Sequence, residues 1–144
     1  MGESSGHTDL VRSLHRWISK EFAPEDSGLA LFADLPDLDV ERKPIRVGGF
    51  VPDIYAVTFP CSFTLLGEAK WFRDLETAHT ERQFKAFFEF LEREKDPHFV
   101  VASPPALVGT AVRVAQTAMR NVGATRTRLY YLDPFGRVVL AAAR

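Results

Sequence analysis

Apolar positions along the chain recur with two different spacings. In residues 8–22, Leu10, Leu14, Trp17 and Ile18 share one face at about 100° per residue. That spacing predicts an amphipathic helix with Thr8 as its N-cap and Pro24 as its stop. Residues 80–94 carry Phe84, Phe87, Phe88 and Leu91 at the i, i+3, i+4, i+7 positions of a second helix, opened by a Thr80-Glu81-Arg82-Gln83 capping box. A third helix is predicted over 106–121, with Gly123 ending it. Between these lie strand-like runs. Residues 51–58 and 63–70 read as two strands joined by a turn at Pro60-Cys61. A short strand over 45–51 is broken by Gly48-Gly49. Strands follow at 98–102 and 128–133, and Pro134-Phe135-Gly136 turns the chain into a return strand at 137–140. Residues 23–44, rich in Pro and Asp, read mostly as a connection, long enough to suggest function or mobility. The predicted core order is α-β-β-β-α-β-α-β, an α/β domain with a central mixed β-sheet flanked by helices on both faces.

Composition narrows the class. The 144 residues suit one domain, spanning 1–144, with a single core to which twelve phenylalanines contribute. One cysteine excludes an intrachain disulfide and fits a reducing, cytoplasmic setting. No apolar run reaches the ~18 residues that would cross a bilayer, and the N-terminal residues lack a signal-peptide pattern. A net charge of −1 argues against coating nucleic acid by bulk attraction. It is compatible with an enzyme that has local positive charge around an acidic metal site.

The candidate chemistry lies in the apolar hairpin VPDIYAVTFPCSFTLLGEAK. Glu68 and Lys70 are two apart on a strand and face the same way. A turn centred on Pro60-Cys61 pairs Phe59 with Ser62 and, carried outward, sets Asp53 opposite Glu68. Their Cβ atoms would then be about 4.5–5.5 Å apart. A one-residue slip, or a bulge at Pro52, would destroy that pairing. Two opposed carboxylates in an apolar sheet each cost several kcal/mol, on the order of 3–5, if left unpaired. Positive charge must offset them. Lys70 supplies one unit, and a divalent cation with oxygen ligands, Mg²⁺ or Mn²⁺, would supply two more. No Cys/His cluster suggests zinc. The same spacing also suits a plain cross-strand ion pair at the end of the sheet, and the residues alone leave both readings open.

Pro52-Asp53, a gap across the hairpin and Glu68-Ala69-Lys70 together resemble the signature of the PD-(D/E)xK nucleases, the restriction-endonuclease-like superfamily. The preceding helix with an inward acid and the following helix with Gln83 near its start match that superfamily's core order. The phrase GEAKWFRDLET before TERQF is similar to many small bacterial members. The resemblance covers roughly residues 8–133, with its specific motifs in 52–83. It implies a restriction-endonuclease-like core and metal-dependent hydrolysis of phosphodiester bonds in nucleic acid, DNA being favoured over RNA. It implies that Asp53, Glu68 and the Ala69 carbonyl hold Mg²⁺ or Mn²⁺, and that Lys70 assists the attacking water. Gln83 is implied beside the lysine, and Glu21, about 20° from Leu10 on the first helix's wheel, as the acid from that helix. Asp34 and Asp37 are rivals for the last role. A homodimer, or a partner protein delivering substrate, would supply the specificity that so small a domain lacks. A catalytically silent module binding nucleic acid or protein on the same fold is the alternative.

Other polar residues carry weaker expectations. His15 reads as a surface or boundary residue and His98 as the start of a strand; His79, just before the second helix, could approach phosphate, though the sequence favours the reading in which it does not. Arg73, Arg82, Lys85, Lys43 and Arg46 are possible phosphate contacts around the mouth of the site. Trp71-Phe72 would pack at its rim or stack on a base. Ser103 and Cys61 lack the context of nucleophiles.

Overall fold

The computed structural model describes residues 5–22, 28–58 and 63–141, the last three by backbone alone. A six-stranded sheet in sequential order forms its middle layer: β1 (Leu29–Ala33), β2 (Ile54–Thr58), β3 (Thr64–Ala69), β4 (Pro97–Ala102), β5 (Arg128–Leu132) and β6 (Val138–Ala141). β1, β2 and β3 pair antiparallel, β3, β4 and β5 parallel, and β5 and β6 antiparallel. Among the described residues three α-helices flank the sheet: α1 (Ser5–Phe22), α2 (Ala78–Leu91) and α3 (Val108–Val122). Parallel pairing needs crossovers, and α2 and α3 are those crossovers. The architecture is an α/β layered fold, consistent with the expected restriction-endonuclease-like core.

Each face of the sheet has its own core. On one face Phe84, Phe87, Phe88 and Leu91 of α2 are fully buried with Leu66, Phe99 and Val101. Each buried Phe contributes about 1.5–3 kcal/mol of transfer free energy. α3 brings the small side chains Ala111, Ala115 and Ala118 to this core, which lets it pack close to α2 and the sheet. On the other face Leu10, Leu14 and Ile18 of α1 pack on Ile54, Ala56, Leu65 and Ala69. β3 and β4 are buried along their whole lengths, as strands covered on both faces must be.

Several expectations need correction. α1 starts at Ser5, so Thr8 lies inside the helix and is not its cap. α2 is capped by Thr77, whose hydroxyl accepts from the Thr80 amide at 3.0 Å; Thr80 is already helical. The stretch 45–51 is not a sheet strand. Val47 and Phe50 form an isolated bridge around Gly48 and Gly49, whose φ values of 58° and 88° make the tight turn. The first strand instead comes from 29–33, inside the region read as a connection. The return after Gly136 is a true sixth strand. The turn at Pro60-Cys61 and the stop at Pro24 lie outside the described residues. Among the described residues no helix is long and apolar enough to cross a membrane.

Candidate active site

The hairpin register is the one expected: Ile54 pairs with Gly67 and Tyr55 with Leu66, which sets Asp53 opposite Glu68. The two acids are locked by main-chain bonds running in opposite directions. The Asp53 amide donates to Glu68 Oε1 at 3.0 Å, and the Ala69 amide donates to Asp53 Oδ2 at 2.8 Å. Pro52 introduces no slip. Both carboxylates are buried, at 5% and 3% relative exposure.

Lys70 follows β3 directly, and its amide donates to the Ala102 carbonyl, which extends the parallel ladder by one residue. Glu68 and Lys70 share the face of Leu66, so both point toward α2. There Gln83, one turn into the helix, accepts from Lys70 Nζ at 2.6 Å. Lys70 Nζ also stands 3.5 Å from Glu68 Oε2 and 6.0 Å from the centre of the Phe84 ring. The ammonium is thus fixed between a carboxylate, an amide and an aromatic face.

Burial raises the Glu68 carboxyl well above the ordinary carboxylate range; the Asp53 charge pushes the same way, and Lys70 opposes both. The two acids thus act on each other's charge, with Lys70 and His7 as the basic groups beside them. The donors are hard oxygens, as Mg²⁺ or Mn²⁺ requires. No group of three His, Cys, Asp or Glu suited to a metal occurs among the described residues. A carboxylate pair still fits Mg²⁺, which keeps several of its waters and takes one or two carboxylates.

These groups open into a cleft of about 510 Å³ at the C-terminal end of the parallel strands. Ala69 lies at its floor, and Trp71, Phe72, Arg73 and His79 stand around it. Arg73 holds a left-handed backbone at φ 81°. For a residue with a side chain that is strained, and such strain collects at functional loops. The Asp74 carbonyl braces the same loop by accepting from the Thr77 and Thr80 hydroxyls at 3.2 and 2.5 Å.

The acid expected from the first helix is elsewhere. Glu21 is exposed in the last turn of α1, about 21 Å along the axis from the site end of the helix. A helical wheel projects out that axial coordinate, which is why Glu21 looked inward. Asp37 is also outside the site, paired with Arg12 at 3.1 Å. Asp34 lines the cleft, but its carboxylate stands 3.7 Å from Lys43 Nζ, and its amide donates to the Asp53 carbonyl at 2.8 Å. The side chain that α1 does bring is His7, with Nε2 at 3.2 Å from Asp53 Oδ2. His7 lies one residue before Thr8, where the sequence pattern places the start of the helix. Its spacing from Leu10 and Leu14 places it in the same inward stripe.

Of the other expectations, Arg46 turns to the Gly49 carbonyl at 2.9 Å and Lys85 to Glu81 at 3.3 Å, so neither faces the cleft. Arg82 is exposed and does not line it. His15 is half-buried on α1, as expected. His98 opens β4 at the far end of the sheet, with Nδ1 at 2.9 Å from the Tyr130 hydroxyl. Ser103 is buried against Tyr131.

No family model matches the chain, and no curated protein matches it. Among solved structures it is similar to Pyrococcus furiosus SfsA in complex with Ca²⁺, with a TM-score of 0.46 and 14% identity over 91% of this chain and 61% of that one. The chain therefore spans about three fifths of that protein's length.

Proposed function

We propose that this protein is a metal-dependent nuclease that hydrolyses phosphodiester bonds. The observation that carries the reading is the interlocked Asp53–Glu68 pair, with Lys70 held beside Glu68 by Gln83 at the mouth of one cleft. Keeping two acids together and buried is costly for folding alone. A site that takes a divalent cation repays that cost.

Asp53, Glu68 and the Ala69 carbonyl are the residues that would hold Mg²⁺ or Mn²⁺. When bound, such an ion lowers the pKa of water and neutralises phosphate oxygens. The chain's own groups do the remaining work. Lys70 orients the attacking water with its ammonium and faces the charge that builds on the phosphate. Gln83 fixes the direction of Lys70 Nζ. Arg73 and His79, at the rim, meet the flanking phosphate backbone. The water gives up a proton to solvent as its oxygen bonds to phosphorus, the bond to the leaving sugar oxygen breaks, and that oxygen takes up a proton from solvent. DNA is the favoured substrate.

The deciding experiment incubates labelled single-stranded DNA, duplex DNA and RNA with Mg²⁺ or Mn²⁺, beside Lys70→Ala and a chelator control. Cleavage that needs both the metal and Lys70 is the expected result. Cleavage that persists in Lys70→Ala would remove the lysine from the mechanism. No cleavage and no metal binding would return Asp53, Glu68 and Lys70 to an ion pair at the end of the sheet.

A further inference from the structure

The row Ala69, Ala102 and Leu132 crosses three adjacent parallel strands. The loops that follow, with Trp71 after β3 and Pro134-Phe135 after β5, therefore leave the sheet at the same end as the cleft. Two more depressions continue from it along α1. The first, of about 370 Å³, is lined by Gly6, Arg12, Arg16, Trp71 and Pro134. The second, of about 340 Å³, is lined by Arg16, Lys20, Pro134 and Phe135. Trp71 belongs to both the cleft and the first depression; Arg16 and Pro134 belong to both depressions. The three are thus neighbours along α1, with the Trp71 indole standing between the cleft and the first depression.

Two features of this path are built rather than incidental. A Cβ on Gly6 would lie 2.4 Å from Trp71 Cζ2, so the glycine lets the indole lie against α1 as a shared wall. Phe135 is 76% exposed at the tip of the β5–β6 turn, whose backbone is held by side-chain bonds. The buried Asp133 accepts from the Phe135 and Arg137 amides at 2.9 and 3.1 Å, and the Arg137 guanidinium lies 5.7 Å from the Phe135 ring. These bonds close the β5–β6 turn and fix the backbone from which Phe135 projects. Phe72, 48% exposed, stands at the cleft end. Arg12, Arg16 and Lys20 recur every four residues along the helix beside the path. Arg12 turns to Asp37, which leaves Arg16 and Lys20 as the cations of the second depression. Asp9 and Glu21 sit in the same depressions, so the net charge is small.

We infer that this path is a track for an unpaired nucleic-acid strand leading to the Lys70 cleft, with Phe135 as a base-stacking platform and Arg16 and Lys20 on the phosphates. The inference rests on the nuclease reading and names its substrate class. Exposed rings spaced along a modestly basic groove suit a single strand, whose bases are open to stacking. A duplex presents phosphates alone and would use a larger excess of positive charge.

The test measures anisotropy of labelled oligothymidine, oligouridine and a DNA duplex on the full chain, metal-free, for the wild type, Phe135→Ala and Arg16→Ala. Phe135→Ala is expected to weaken binding of a single strand about tenfold or more while leaving the duplex and the melting temperature unchanged. Arg16→Ala should reduce the slope of log K against log salt by about 0.7. The two oligonucleotides separate DNA from RNA as the source of the strand. A Phe135→Ala variant that binds single strands as the wild type does, or a duplex that binds more tightly than either single strand, would overturn the track. A Mn²⁺ melting shift is read in parallel. If it is present without strand binding, the track falls and the metal centre stands; if strand binding depends on Phe135 without a metal shift, the track stands and the nuclease reading falls.

Discussion

Asp53 and Glu68 hold each other through the backbone: the amide of Asp53 binds the Glu68 carboxylate, and the carboxylate of Asp53 binds the amide that follows Glu68. Neither acid can leave without stranding an amide at the end of β2 or β3. The carboxylates are thereby fixed toward the cleft.

Metal binding should therefore be visible as stability. At about 100 times Kd, a ligand bound only by the folded state contributes about 2.7 kcal/mol, which is several degrees in Tm for a domain of this size. Mn²⁺ is expected to raise the melting temperature of the wild type, and Asp53→Ala should abolish the shift. An undiminished shift in the variant would take Asp53 out of the metal site.

Gln83 accepts a hydrogen bond from Lys70 Nζ at 2.6 Å. Gln83→Ala removes the bond that aims Lys70 Nζ; a hydrogen bond to a charged group contributes about 1.5–3 kcal/mol. A kcat about ten- to a hundredfold lower is expected, with KM changed little and the Mn²⁺ shift intact. Loss of the Mn²⁺ shift would mean that Gln83 supports the carboxylates instead.

His7 is the group from α1 that meets Asp53. Partners behind a metal-binding carboxylate typically change metal affinity about ten- to a hundredfold when removed. His7→Ala should weaken Mn²⁺ binding by that range in a calorimetric titration. Glu21→Ala, at the other end of the helix, should leave it unchanged.

Gly6 tests the packing of the cleft wall. Gly6→Ala places a methyl group on the Trp71 ring, and overpacking of this kind costs about 1–3 kcal/mol. A lower denaturant midpoint is expected, with a changed tryptophan emission. An unchanged midpoint would mean that the loop after Lys70 moves freely.

His98 predicts an acid-sensitive fold. Burial lowers its pKa below 6.5, with Asp96 opposing and Arg128 adding to the shift. Its folded value lies below its unfolded one, so the unfolded chain binds the extra proton first. The stability His98 contributes is complete above pH 6.5 and is lost as pH falls through that value toward the folded pKa. Urea midpoints should fall across that window in the wild type and fall less in His98→Gln. Equal slopes would assign the acid sensitivity to other groups.

Elements whose packing is local in sequence were legible from it. The Phe84, Phe87, Phe88 and Leu91 stripe named α2's buried face, and the parity of Glu68 and Lys70 named their common direction. The Asp53–Glu68 register expected for the hairpin is the one found. β1 was not legible, because Leu29–Ala33 lacks the β-branched residues that mark strands and becomes a strand only by pairing with β2.

By itself, then, the sequence determined the periodic faces of the helices, the register of the central hairpin and the placing of Asp53, Glu68 and Lys70 on one face, since side-chain direction follows from spacing along a regular backbone. Only the tertiary structure decided which residue of α1 reaches the cleft and that Trp71 rests on Gly6. Those contacts join segments far apart in the chain, and their partners are chosen by where each helix crosses the sheet, a coordinate that no local period contains.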